Sequence, residues 1–208
     1  MHVLSYSKQL EYSASCWARQ CKASRSRCRK VEDGLVGETI CHVTIREVFD
    51  SQVGAITTSS MESCLEQTVS KFQINFTENL IDSIKYPRGG DDEMNRGAVQ
   101  MIWAKTRYIG CHRIKYKYPQ PEPLFNEVYM VILHVCHFFP ASEDEKTIFM
   151  IGIPARTCDH NEAPNSQYPS LCGVIRDLAD DPWDGNSNRN TWNVILNSIL
   201  LYILYIFG

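Results

Sequence analysis

Two stretches in the middle of the chain show the clearest pattern of hydrophobic and polar positions. Over residues 108–118, apolar and basic side chains alternate, which predicts a strand with one buried face. Over Tyr129–Phe139 the chain is almost continuously apolar, which is typical of a strand buried on both faces. The segment between them carries Pro119, Pro121 and Pro123, which cannot extend either strand. We therefore predict an antiparallel pair.

The two predicted strands each contain a cysteine near the middle. Cys111 and Cys136 are placed to close a disulfide across the pair. A third strand is predicted over residues 147–153, whereas residues 22–41 are interpreted as a loop with a short strand, punctuated by Gly34 and Gly37.

Helical periodicity occurs in two other stretches. Residues 59–84 form the clearest predicted helix, because Ser59 and Glu62 make a capping box and one apolar stripe follows. An earlier helix is indicated by the spacing of Leu10, Ala14 and Trp17. The acidic residues 91–93 are interpreted as a solvated turn.

Length and composition place the chain among secreted globular proteins. At 208 residues it is long enough for one domain with appendages. A net charge of −3 gives no reason to expect a nucleic-acid partner. Nine cysteines argue for an oxidising compartment, and their odd number leaves at least one thiol free or intermolecular. We interpret the basic cluster at residues 22–30 as a solvated loop.

Several words of the sequence resemble the CAP superfamily of cysteine-rich secretory, antigen-five and pathogenesis-related-one proteins. They are QMIWAKTRYIGC from Gln100, VCHFFPA from Val135 and GIPARTC from Gly152. WARQC from Trp17, GETI from Gly37 and YPSLC from Tyr168 are most similar to the insect venom-allergen antigen-five type. The resemblance covers about residues 4–172.

The resemblance implies an α/β fold, a three-layer α-β-α sandwich of the CAP type with an antiparallel sheet. Residues 4–21 correspond to the second helix of the family, so the first helix has no counterpart here. We therefore expect an N-terminally truncated CAP domain at 1–172, a polar linker at 173–193 and a hydrophobic tail at 194–208. The resemblance also implies a closing disulfide between Cys158 and Cys172. The pairing of Cys16, Cys21, Cys28, Cys41 and Cys64 is left open.

The family cavity typically carries two histidines and two glutamates that hold a divalent cation. Position by position, the first histidine falls on Arg25 and the first glutamate on Glu38. The second glutamate falls on Glu78 and the second histidine on Gly97. Both imidazole donors are therefore replaced, so we expect a degenerate site with no metal and no cofactor. Arg25 is expected to form an ion pair with Glu38.

A second candidate cluster lies in the buried strand at His134, Cys136 and His137. Alternation places the two histidines on opposite faces, and Cys136 is expected to be oxidised. His112 and His137 would share a face diagonally if Cys111 lies opposite Cys136. A metal between those two is an alternative to ordinary polar strand residues, which is the interpretation that we adopt.

The ends of the chain and one tripeptide suggest processing in the secretory pathway. No signal peptide is recognisable at residues 1–6, and the resemblance explains this by a start inside the domain. Asn75 begins the sequon Asn-Phe-Thr, a candidate glycosylation site. Small residues at 184–187, a polar spacer and the apolar run 194–207 fit a GPI-attachment signal, with a transmembrane or interfacial helix as the alternative.

These observations together predict a secreted-type, non-catalytic CAP-domain binding protein, extracellular and held at the cell surface by its tail. Family members engage sterols, fatty acids or proteins, so the resemblance implies a lipid or protein partner whose identity the sequence does not give. The alternatives are a metal-dependent hydrolase of the CAP family and a degenerate copy without activity.

Overall fold

The computed structural model describes residues 1–26, 29–31, 34–46, 83–85, 93–117, 129–142, 147–150, 152–159 and 161–176. The helices of this part are α1 (Lys8–Ala18) and α2 (Glu93–Met101). Its strands are β1 (Ser5–Tyr6), β2 (Lys30–Val31), β3 (Gly34–Leu35), β4 (Gly37–Arg46), β5 (Ser83–Lys85), β6 (Tyr108–Lys117), β7 (Tyr129–Phe139) and β8 (Thr147–Met150).

The central sheet has the strand order β1-β6-β7-β4. Strands β6 and β7 form the antiparallel pair predicted from the alternation, and Cys111 lies directly opposite Cys136. Strand β4 pairs antiparallel with the other edge of β7, whereas β1 joins β6 in parallel. The sheet is therefore antiparallel except for this two-residue edge strand. Separate two-stranded sheets pair β2 with β3 and β5 with β8.

Each face of the sheet carries a helix. Helix α1 packs on β6 and β7, with Ala14 and Ala18 buried against Leu133 and Val135. Helix α2 packs on β4 from the opposite side, where the hydroxyl of Thr39 donates to the carbonyl of Gly97 at 3.0 Å. The arrangement is the predicted three-layer α-β-α sandwich.

The predicted elements near the amino terminus needed correction. Residues 4–21 were assigned to one helix, but Ser5–Tyr6 form β1 and the helix begins at Lys8. Ser7 caps it, since its hydroxyl oxygen accepts from the amide of Leu10 at 3.3 Å. Pairing of β1 with β6 takes these residues into the sheet, which local periodicity does not reveal.

Three other boundaries also differ. The 22–41 segment was expected to hold only a short strand, but β4 runs for ten residues. The predicted turn at 91–93 gives way to α2, which starts at Glu93, and the predicted strand at 147–153 ends at Met150. The end of the predicted 59–84 helix falls in β5, and its remainder lies outside the described residues.

Both predicted disulfides are present. Cys111–Cys136 crosses β6 and β7, and Cys158–Cys172 closes the loop that follows β8. Cys41 is also disulfide-bonded. Cys16 and Cys21, whose pairing was left open, are free and exposed.

Gln100, the first residue of the QMIWAKT motif, links α2 to the segment that follows β7 by hydrogen bonds. Its buried amide nitrogen donates to the hydroxyl of Thr106 at 3.0 Å and to the carbonyl of Pro140 at 3.2 Å. Its amide oxygen accepts from the backbone of Ser142 at 2.6 Å. All the strong hydrogen-bonding groups of this side chain are used for structure, which explains a glutamine in the core.

Candidate functional site

The most buried ionisable pair of the described structure joins β4 to β7. Glu38 and His137 face each other in the register of the two strands, and 2% and 0% of these residues are exposed. Nε2 of His137 lies 3.0 Å from Oε2 of Glu38. The second carboxylate oxygen, Oε1, accepts a hydrogen bond of 2.8 Å from the backbone amide of Ser26. Both oxygens of Glu38 are therefore engaged.

The pair continues into helix α1. Nδ1 of His137 lies 3.0 Å from the hydroxyl oxygen of Ser13, so both ring nitrogens of the histidine have close partners. Ser13 is half-buried and is the most exposed of the three residues. The result is a linear arrangement of hydroxyl, imidazole and carboxylate, which we call the Ser13–His137–Glu38 chain.

The Ser13–His137–Glu38 chain and Gly97 lie on opposite faces of the sheet. Successive residues of a strand point to opposite faces. Glu38 contacts His137 on the α1 side, whereas Thr39 contacts Gly97 on the α2 side. A Cβ atom added at Gly97 would meet Thr39 at 3.4 Å. The glycine thus allows close packing of α2 on β4.

His134 lies on the face of β7 opposite His137, as alternation predicted. It is buried, with Arg113 beside it on β6 and Cys41 beside it on β4. Burial, and secondarily the positive charge of Arg113, lowers the pKa of His134 to about 4. The ring is therefore neutral at neutral pH.

No family model matches the chain. Venom allergen 5 of Vespa velutina is 28% identical over 116 residues, which cover 56% of this chain and 50% of that protein. Venom allergen 5.02 of Dolichovespula maculata is 30% identical over 120 residues, covering 56% of this chain and 48% of that protein. The chain thus spans about half the length of the curated relatives it matches.

Solved structures with the same architecture agree with these relatives. The structure of BmVAL-1 has a TM-score of 0.53 at 21% identity, over 86% of this chain and 78% of that one. Na-ASP-1 has a TM-score of 0.50 at 16% identity, over 83% of this chain and 38% of that one. At such identities the likeness to the solved structures shows the fold alone. In sequence, the chain is similar to the antigen-five venom allergens.

The structure brings only part of the expected CAP tetrad together. Arg25 immediately precedes Ser26, whose amide binds Glu38, so these two positions are neighbours. Gly97 lies on the other face of β4, and Glu78 lies outside the described residues. The partners found for Glu38 are Ser26 and His137, and the ion pair with Arg25 stays a prediction.

Sequence reasoning missed the contacts that His137 makes. It was interpreted as an ordinary polar strand residue, or as half of a metal pair with His112. Both of its nitrogens are instead directed at Ser13 and Glu38. The available signal was the VCHFFPA word itself, where the family consensus has asparagine in place of the histidine.

The buried His134 predicts that the protein loses stability in mild acid. Its pKa in the unfolded chain is near 6.5 and in the folded chain about 4, so between these values the unfolded chain binds the extra proton. The free energy of unfolding should therefore fall as the pH drops from 6.5 to 4, by up to about 3 kcal/mol from this group. Urea unfolding at pH 7 and pH 4.5 measures the effect.

His134→Gln should flatten this pH dependence, whereas His42→Gln should leave it unchanged. His42 is the matched control because it is a histidine of the same sheet whose side chain is exposed. Equal slopes for the wild type and His134→Gln would contradict the assignment.

Proposed function

We propose that this chain is a secreted-type, non-catalytic CAP-domain binding protein. Glu38, at the position of the first cavity glutamate, is proposed to stabilise the fold and not to bind a metal. The observation that carries the proposal is the complete use of the Glu38 carboxylate by the amide of Ser26 and the imidazole of His137. A metal ion at Glu38 would compete with these two groups for the same carboxylate oxygens. Displacement would leave a buried polar group without a partner, which costs about 1–3 kcal/mol.

The ligand is proposed to be a lipid or a protein partner, as the CAP resemblance implies. Extracellular location is supported by the cysteine content and by the disulfides Cys111–Cys136 and Cys158–Cys172. None of the helices in the described part of the chain is long and apolar enough to span a membrane. The apolar run 194–207 lies outside that part, and attachment through it, by a GPI anchor or a transmembrane helix, remains part of this proposal.

A hydrolase is the second candidate, because the Ser13–His137–Glu38 chain has the order nucleophile, base and orienting carboxylate. Two features disfavour it. Ser13 lies in the interior of α1, where backbone amides are used by the helix and are not free to stabilise an oxyanion. His137 is completely buried, so a leaving group has no access to its proton. We therefore interpret the Ser13–His137–Glu38 chain as a structural element.

Two readouts on the purified, metal-free protein test the proposal. Glu38→Gln keeps an oxygen for Ser26 and a hydrogen-bonding group for His137, so it should leave any zinc binding measured by calorimetry unchanged. A fluorophosphonate probe should give no labelling of Ser13 above that in Ser13→Ala. Micromolar zinc binding that disappears in Glu38→Gln, or labelling that requires both Ser13 and His137, would overturn the proposal.

A further inference from the structure

A separate group of charged residues lies where the start of the chain meets the closing loop. The backbone on both sides of His2 is hydrogen-bonded to Cys172. The amide of Val3 donates to the carbonyl of Cys172, and the amide of Cys172 donates to the carbonyl of Met1. The Cys158–Cys172 disulfide fixes the loop, and Asp159 and Glu162 follow Cys158 in a turn. The two carboxylates are thereby held beside the imidazole of His2.

Each ring nitrogen of His2 faces a carboxylate oxygen. Nε2 lies 3.1 Å from Oδ2 of Asp159, and Nδ1 lies 2.8 Å from Oε2 of Glu162. Only 7% of His2 is exposed. Nδ1 and Oε2 are both fully buried, yet their geometry does not make a hydrogen bond, so each lacks a partner. This is an unusual pair of unsatisfied atoms at so short a distance.

A positive ion would give both of these atoms a partner. A ring nitrogen that carries no hydrogen and a carboxylate oxygen both offer lone pairs, so one cation can accept from both. Nδ1 of His2 and Oε2 of Glu162 are already 2.8 Å apart and buried.

The distance between the two atoms is also close to that in a shared metal site. Zinc binds histidine nitrogen and carboxylate oxygen at about 2.0–2.2 Å, so two such ligands in a tetrahedral site are roughly 3.4 Å apart. The contact of 2.8 Å between Nδ1 of His2 and Oε2 of Glu162 would therefore widen by about half an ångström around the ion. One ligand atom from each of His2, Asp159 and Glu162 lies within 4.8 Å of the others. The set of one imidazole and two carboxylates is suitable for zinc and similar divalent ions.

We propose that His2, Asp159 and Glu162 form a binding site for a divalent metal ion of the zinc class, distinct from the CAP cavity. Arg107 supports the site from outside. It donates through Nη1 to Oε1 of Glu162 and through Nη2 to Oδ2 of Asp159, which leaves Oε2 of Glu162 for the ion. The exposed Asp159 gives the ion a path from solvent.

Zinc titration of the full chain, stripped of metal and purified without a polyhistidine tag, tests the site. The wild type should bind one zinc ion, and His2→Asn should weaken binding at least about tenfold, because the nitrogen ligand is lost. Glu162→Gln should do the same, and its position in a surface loop protects the test if His2→Asn fails to fold. His42→Asn, the exposed histidine of β4, should bind zinc like the wild type.

The melting temperature gives a second readout, since zinc would link the start of the chain to the closing loop. Zinc should raise it in the wild type and His42→Asn but not in His2→Asn or Glu162→Gln. The absence of saturable binding, or binding that persists in both His2→Asn and Glu162→Gln, would overturn this site and leave the proposed function untouched. Binding lost in Glu38→Gln and retained in His2→Asn would place the metal in the CAP cavity and overturn both proposals.

Discussion

Replacing Gly110 by alanine is expected to lower the free energy of unfolding by about 3 kcal/mol or more. Gly110 lies in β6 directly beneath the start of α1. An added Cβ would lie 2.1 Å from the amide nitrogen of Glu11, 2.5 Å from the carbonyl carbon of Leu10 and 2.6 Å from the carbonyl oxygen of Ser7. These are backbone atoms, so no side-chain rotation relieves the overlap and the whole helix must move away from the sheet.

Gly152→Ala is the matched control, because an added Cβ there meets no atom within 4 Å and the backbone does not adopt a left-handed conformation. Its effect should stay within about 0.5 kcal/mol. For a chain of this size, the loss at Gly110 corresponds to a fall of roughly 6–12 °C in melting temperature, which thermal unfolding followed by circular dichroism can measure. A Gly110→Ala protein as stable as Gly152→Ala would show that α1 does not pack on β6 as described.

His137→Leu is expected to destabilise the protein by about 3–5 kcal/mol. Leucine fills most of the space of the imidazole, so the effect is chiefly electrostatic. Oε2 of Glu38 and the hydroxyl of Ser13 would both lose their partner, and Glu38 is buried where water cannot replace the imidazole. Denaturant unfolding at pH 7 gives the free-energy difference.

The double variant His137→Leu/Glu38→Gln separates the loss of the pair from the loss of packing. An amide in place of the carboxylate still accepts the hydrogen bond from Ser26 and carries no charge. The double variant should therefore recover a substantial part of the stability that His137→Leu loses. If His137→Leu alone costs less than about 1 kcal/mol, the Glu38–His137 pair is not a stabilising element.

The strands that depend on local alternation were predictable from the sequence. Strand β7 matches its predicted bounds, and β6 differs by one residue. Both are long, and three prolines in the connection exclude other boundaries. Each predicted strand also contains one cysteine, and the Cys111–Cys136 disulfide was predicted from the same observation.

The elements that depend on distant partners were not predictable in this way. Strand β1 has only two residues, and its parallel pairing with β6 outweighs the helical periodicity of the residues that follow. Strand β4 was underestimated because Gly34 and Gly37 suggested a loop. The contact between Glu38 and His137 depends on the register of β4 with β7, which no local pattern gives. In the candidate site, the sequence pointed to Glu38 but not to its contacts with Ser26 and His137.

The pairing of β4 with β7 also delays part of the folding of the nascent chain, because β4 is synthesised long before β7. Glu38 and His137 are 99 positions apart in the sequence. At about 5–20 residues per second, a ribosome adds His137 roughly 5–20 s after it has added Glu38. During that interval the carboxylate remains hydrated, and the apolar side chains of α1 that later cover β7 have no surface to pack on. Chaperones of the compartment in which the chain is made would meet it in this state, before the β4 edge of the sheet can form.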